Sequence, residues 1–374
     1  MKRKSDVKLL VATGVLVAVG LAFVYSAGCY TSQKNFGNPY HYFVKQLIGA
    51  AIGCIGCIVC SRFSARFLQK ISLPLLIVSV VLLALVFVPK IGIENYGARR
   101  WIGIGSLSVQ PSEIAKFALV LFCAAYLSKH YRQMCRLSVT LPLLVAGGIL
   151  CILIILEPNM SITVCTALIL LTMLYLGGMK LRYFVLLGAF LVAGAAVLIV
   201  AEPYRMQRLL AFLDPWASPK GEGYQLIQSF YALGSGGWFG VGFLNSRQKY
   251  SFLPFAESDF ILSVIAEETG FVGAVLLFLV FLCYIRRGIR IASRATNAFD
   301  FYLASGITSV IAIQTLLNVA VVTGSIPPTG LPLPFISYGG SSLVVFLCAT
   351  GLLNGVASRN TFLTLEPYSV VSGD

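Results

Sequence analysis

Charge is scarce in this chain. Only 11% of its 374 residues are charged, against 58% hydrophobic, whereas a soluble domain of ordinary composition carries about 25% charged residues. A deficit of that size excludes an ordinary water-soluble core and makes lipid the solvent. Histidine is scarcer still, with two in the whole chain. Cys54, Cys57 and Cys60 share helical spacing but have neither histidine nor acid beside them. The cysteines therefore read as small packing residues rather than a metal site or disulfide framework. No internal repeat is visible, and neither end carries a soluble domain of useful size. The glycine-rich run GSGGWFGVG (234–242) lacks a preceding strand and a following Lys-Ser or Lys-Thr, which argues against a nucleotide loop. SAGC, ending at Cys29, resembles a lipoprotein cleavage site only faintly, because Ser26 stands where an apolar residue is wanted.

What the chain has instead is apolar runs. Spans of about 20 residues cross a bilayer, and such runs are read at about 9–28, 43–61, 71–89, 111–128, 138–156, 159–177, 181–201, 260–285, 302–323 and 337–357. The expected architecture is an all-α integral membrane protein: one domain, 1–374, of ten transmembrane helices. A large extracytoplasmic loop, 202–259, joins spans seven and eight. The net charge of +14 sits in MKRKSDVK, SRFSARFLQK, KHYRQMCR, MKLR and RRGIRIASR, which occupy every second loop. The positive-inside rule puts those loops and both termini in the cytoplasm. That distribution argues for a membrane protein and against a nucleic-acid partner. The 202–259 interval falls outside, with Arg205, Arg208, Lys220, Arg247 and Lys249 balancing five acids.

Three outward segments carry the unusual residues. In GARRWIGIGSLSVQPSEIAKF (97–117), Pro111 suits the first position of a helix, and Glu113 and Lys116 fall at i and i+3. That pair is either a local ion pair, a charged group facing a cavity, or both. Arg99 and Arg100 either snorkel to headgroups or hold a phosphate. TGSIPPTGLPLPFISYGGSS (323–342) is dense in glycine and proline, which predicts irregular or re-entrant backbone covered by protein. The stretch LPFAESDFILSVIAEETGF (253–271) puts Asp259, Ser263 and Glu267 at i, i+4 and i+8. Glu267 and Glu268 read as buried groups hydrogen-bonded to a neighbouring span. Asp259 sits at the water boundary, where it either caps the helix or meets an amphiphile while ionised.

Taken together, GARRWI…QPSEIAK, GYQLIQS, GSGGWFGVG, NSRQK, SDFILSVIAEETGFVG and LPFISYGGSS resemble the SEDS family of bacterial cell-wall proteins, which includes FtsW, RodA and SpoVE. PYRMQRLLAFLDPW, GYQLIQS and NSRQKYSFLP are closer in style to FtsW than to RodA. The resemblance implies ten spans and a peptidoglycan glycosyltransferase of the inner membrane. Such an enzyme polymerises lipid II during septal synthesis in cell division and releases undecaprenyl pyrophosphate. It implies Asp259 as catalytic residue and carries the family's tryptophan and lysine onto Trp101 and Lys116. Partners implied are a class B penicillin-binding protein transpeptidase and other divisome proteins. The chain departs from the family where Glu257-Ser258-Asp259 replaces a common His-Thr-Asp, which puts any role of that histidine in doubt.

The chemistry is coherent with that expectation. A carboxylate can take the proton of an attacking sugar 4-hydroxyl. The departing lipid pyrophosphate is already a stable anion and needs positive charge rather than a second acid. Arg99, Arg100, Lys116, Arg205 and Arg208 are the candidates, with a divalent cation (Mg or Mn) as another source and no organic cofactor. A lipid II flippase and a non-catalytic divisome scaffold are the alternatives that the sequence leaves open.

Overall fold

The computed structural model describes residues 5–363 apart from 90, 96–97, 105–106, 202 and 329. Its helices are α1 (Val7–Phe36), α2 (His41–Cys60), α3 (Ala65–Leu85), α4 (Pro111–His130), α5 (Leu137–Leu156), α6 (Met160–Leu176), α7 (Leu181–Ala201), α8 (Pro203–Leu213), α9 (Tyr224–Gly236), α10 (Ile261–Ser293), α11 (Ala298–Val322) and α12 (Gly340–Leu363). Eight of these, α1 to α5 and α10 to α12, are long and apolar enough to cross a membrane; α6 is a shorter apolar helix, as is the 181–194 part of α7. The ends follow from local chemistry. Asp6, Ser64, Asn159 and Asn297 each accept a main-chain N–H in the first turn of the helix they precede. Pro111 opens α4 as its sequence position predicts.

The fold departs from the all-helical expectation in the first outward segment. Strands β1 (Gly92–Asn95), β2 (Ala98–Ile104) and β3 (Leu107–Val109) form an antiparallel sheet in the order β1-β2-β3. The run ARRWIGI alternates, and a paired ribbon satisfies its backbone where an irregular loop would not.

Helix α4 is the axis of the bundle, with 72% of its apolar window buried, while α2, α3 and α5 bury 22–28% and present large side chains such as Ile55, Ile77 and Ile152 outward. Lipid, not water, is the medium in which that surface is stable. The 323–342 segment has the irregular backbone covered by protein that its composition predicts: Leu331, Leu333, Phe335 and Ile336 are non-helical yet buried among the helices.

Helix α10 is not one continuous rod. Gly270 takes φ +70° and ψ −172°, a backbone that L side chains avoid, and splits off Ile261–Thr269 as a half-helix. The glycine run 234–242 folds against this break. Val241 and Gly242 donate to the carbonyls of Glu267 and Glu268, and Phe271 and Val272 donate to those of Gly237 and Trp238, at 2.9–3.1 Å. A Cβ on Gly240 would strike the Glu268 carbonyl. The glycines are there so that two backbones can touch, which accounts for a motif that resembled a phosphate loop.

Candidate active site

Asp259 lies just before α10 but does not cap it: Phe260 holds the cap position, without a side-chain bond. The main chain around Asp259 is pinned instead by buried amides and hydroxyls. Asn318 Nδ2 donates to the Asp259 carbonyl at 2.9 Å and to the Leu331 carbonyl at 2.7 Å. Ser337 Oγ donates to the Ser258 carbonyl at 2.5 Å, and Tyr338 N–H donates to the Glu257 carbonyl at 2.9 Å. Gln46, from α2, donates to the Ser337 carbonyl at 3.0 Å and accepts from Gly339 N–H at 3.1 Å. The 253–259 and 331–339 segments are thus one hydrogen-bonded unit. Gly330 faces the carboxyl itself; a Cβ there would stand 3.1 Å from Asp259 Oδ2.

Asp259 is enclosed by protein but keeps partial access to solvent. Burial pushes its carboxyl up to about 6, while the Ser258 hydroxyl and the charges of Arg100 and Arg208 pull it back. The structure therefore brings Arg100 and Arg208 within electrostatic reach of Asp259. Arg100 comes from β2 and is held by the carbonyls of Glu157 and Pro158, at 3.3 Å from Nε and 2.5 Å from Nη2. Arg208 comes from α8 and pairs with Glu222 at 3.4 Å.

The other predicted residues are placed differently. Arg99 alternates with Arg100 along β2 and is exposed. Trp101 is half-buried on the same strand, opposite Ile93. Arg205 lies on α8, but its side chain falls outside the described residues. Lys116 is fully buried, with Nζ 3.0 Å from Glu113 and 2.5 Å from Gln314 Oε1. Gln314 in turn donates to the Pro332 carbonyl at 2.9 Å, so Lys116 reaches the Asp259 unit through an intermediary. Ser342 closes the set on Glu113 at 3.3 Å.

Glu267 and Glu268 do not face a substrate path. Glu267 accepts from Ser246 Oγ and the N–H groups of Arg247 and Gln248, and Ser235 reaches it as well. Glu268 accepts from Ser26 of α1, from the N–H groups of Leu244 and Ser246, and from Lys249, whose Nζ is 3.2 Å away. The acids clamp the 244–249 loop, and only Glu268 also ties a neighbouring span.

Glu157 is a residue that sequence reasoning missed. It ends α5, is 1% exposed, and both carboxyl oxygens lack a hydrogen-bond partner among the described residues. Burial pushes it up to about 8 even beside Arg100. The signal available was an acid at the close of an apolar run, in LEPN. Among the described residues no group of three or more His, Cys, Asp or Glu could hold a metal.

Residues 7–361 match the FtsW/RodA/SpoVE family profile, described as "Cell cycle protein". The chain is 38% identical over 364 residues to stage V sporulation protein E of Bacillus subtilis, covering 96% of this chain and 99% of that one. It is 41% identical over 357 residues to a probable peptidoglycan glycosyltransferase FtsW of Coxiella burnetii, covering 94% and 96%. Among solved structures, it resembles a chain of a peptidoglycan synthase complex that coordinates polymerization and crosslinking, with TM-score 0.78 and 30% identity over 95% of this chain and 98% of that one. RodA of Thermus thermophilus, in an aspartate-to-alanine variant, gives TM-score 0.70 at 26% identity, covering 94% and 97%. On that profile match and those full-length relatives, this chain belongs to the FtsW/RodA/SpoVE family of cell cycle proteins.

Proposed function

We propose that this protein is a peptidoglycan glycosyltransferase that polymerises lipid II into glycan strands and releases undecaprenyl pyrophosphate, in septal synthesis during division. The observation that carries the reading is Asp259 at the head of α10, partly open to solvent, with the charges of Arg100 and Arg208 acting on its carboxyl. Asp259 accepts the proton of the acceptor 4-hydroxyl as it attacks the anomeric carbon. Arg100 and Arg208 balance the charge of the departing pyrophosphate; Arg99, Trp101 and Arg205 bind the substrate's head. Lys116 acts from behind, by fixing Glu113 and Gln314. A divalent cation there would have Asp259 as its protein carboxylate and would take its remaining oxygens from substrate phosphates and water, the usual habit of Mg.

The reading includes ten spans, with α6 and α7 as the sixth and seventh. Both termini are cytoplasmic, 202–259 is outside, and a class B penicillin-binding protein is the transpeptidase partner. Support comes from the basic loops, the relatives' names and the likeness to a synthase complex. The deciding experiment supplies lipid II to the purified protein with its partner in detergent, where no two sides exist and polymer can arise only by catalysis. Absence of polymer would sink the reading in favour of transport or scaffolding. Impermeant labelling of cysteines introduced at 215–225 and 129–136 in spheroplasts tests the orientation; a protected 215–225 region overturns it.

A further inference from the structure

At the opposite end of α10 from Asp259, the start of α1, the end of α10 and the end of α12 line an open pocket of about 530 Å³. Its wall carries four cations, Lys8, Arg287, Arg290 and Arg294, and one acid, Asp6. Asp6 is already engaged. It accepts from Arg287 Nε at 3.3 Å and Nη2 at 2.5 Å, and it caps α1 through Leu9 N–H at 3.0 Å. Lys8, Arg290 and Arg294 form no ion pair with a described residue. One of four positive charges is therefore answered inside the wall.

Arg287, Arg290 and Arg294 fall at i, i+3 and i+7, a single stripe along the last turns of α10. Cations are favoured at a helix C-terminus, which explains their presence near this end. It does not explain why the ends of three helices gather Lys8, Arg290 and Arg294 around one open pocket, where like charges repel. Ser5 and the buried Asn360 add neutral polar groups to the same wall. Guanidinium forks around one pocket suit the tetrahedral oxygens of a phosphate.

We propose that this pocket binds a phosphate-bearing anion, supplied by the headgroup of an anionic phospholipid in the adjoining leaflet. Basic pockets between membrane helices on the cytoplasmic side take such headgroups. Assigning the inner leaflet rests on the orientation proposed above; the site itself does not. An occupant would join α1, α10 and α12 at the end remote from Asp259.

The test uses the full chain in nanodiscs of phosphatidylcholine, of phosphatidylcholine with phosphatidylglycerol, and of phosphatidylcholine with added inorganic phosphate, read by thermal unfolding and by native mass spectrometry of retained lipid. Phosphatidylglycerol should raise the unfolding temperature and be retained in preference to phosphatidylcholine. The double variant Arg290→Gln/Arg294→Gln should lose that preference by roughly 30-fold, the scale of two basic side chains at an anionic surface. Lys8→Gln, at an exposed position, should lose roughly 5-fold by the same reasoning. A rise with inorganic phosphate alone, equal to that with lipid, would uphold the anion site and overturn the lipid source. Equal retention of both lipids, or a preference unchanged in Lys8→Gln and in the double variant, would overturn the site.

Discussion

The side-chain amide of Asn318 donates to the main-chain carbonyl of Asp259 at 2.9 Å, and its second hydrogen goes to Leu331. One buried amide thus sets the spacing between the segment that carries the acid and the irregular segment that faces it. Asn318→Leu keeps the volume and leaves both carbonyls without that donor, at a cost of about 1–3 kcal/mol for each unmet group. The expected outcome is a lower unfolding temperature together with a kcat loss of about tenfold or more, KM for lipid II changing little. A rise in KM at unchanged kcat would mean that Asn318 serves binding rather than the placement of Asp259.

Asp259→Asn retains shape and removes the base. Polymer yield in detergent, at matched protein level, should fall by roughly 10² or more, with lipid II binding preserved. Glu257→Gln should cost less, because the structure uses the Glu257 main chain, which Tyr338 meets, in holding the site. Near-normal polymer from Asp259→Asn would remove the residue from the mechanism.

The pH dependence follows from the same carboxyl. Burial raises Asp259 to about 6, so its base form is present above that pH and lost as pH falls through it. The kcat/KM profile for lipid II should bend near 6, falling about tenfold per pH unit below the bend. A bend near the ordinary aspartate value of about 4 would show that Asp259 is not desolvated in the working enzyme.

Glu157 predicts the opposite limb. Raised to about 8 by burial, it is neutral at pH 7 and becomes an anion beside Arg100 as pH rises through 8. That anion would draw the Arg100 guanidinium away from Asp259 and the pyrophosphate. Glu157→Gln should therefore match the wild type at pH 7 and hold its activity above pH 8, where the wild type declines. Equal alkaline decline in both proteins would exclude Glu157 as the source.

Lys249 and Glu268 form an ion pair at 3.2 Å with both side chains almost wholly buried. Removing one partner from such a pair costs about 3–5 kcal/mol, chiefly through the charge left behind. Lys249→Met and Glu268→Gln should each lower the unfolding temperature sharply, and the double variant should fall by much less than the sum. Additive losses in that cycle would mean the pair has no coupling.

Eight of the ten expected spans were legible in the sequence because lipid enforces long apolar runs whatever the tertiary packing; the expected 138–156 lies within one residue of α5. The irregular backbone of 331–339 was legible from its glycines and prolines. The sheet was not, since ARRWIGI is short and its pairing depends on partners on both sides. Nor were Gln46, Gln314 and Asn318 singled out, because a lone amide in an apolar run carries no sign of which carbonyl it will meet. Glu267 and Glu268 were expected to bond to a neighbouring span. Their principal partners, the N–H groups of 244–248, come from a loop whose path no helical periodicity reports.

The break at Gly270 has a consequence for how this protein tolerates change. Surface loops ordinarily absorb insertions and deletions. Here the 237–242 segment supplies the donors and acceptors that the interrupted α10 would otherwise lack. Adding or removing one residue would shift its four main-chain hydrogen bonds out of step at once. By the rules of descent this loop counts as a piece of a helix, with its length held as strictly as the register of a span.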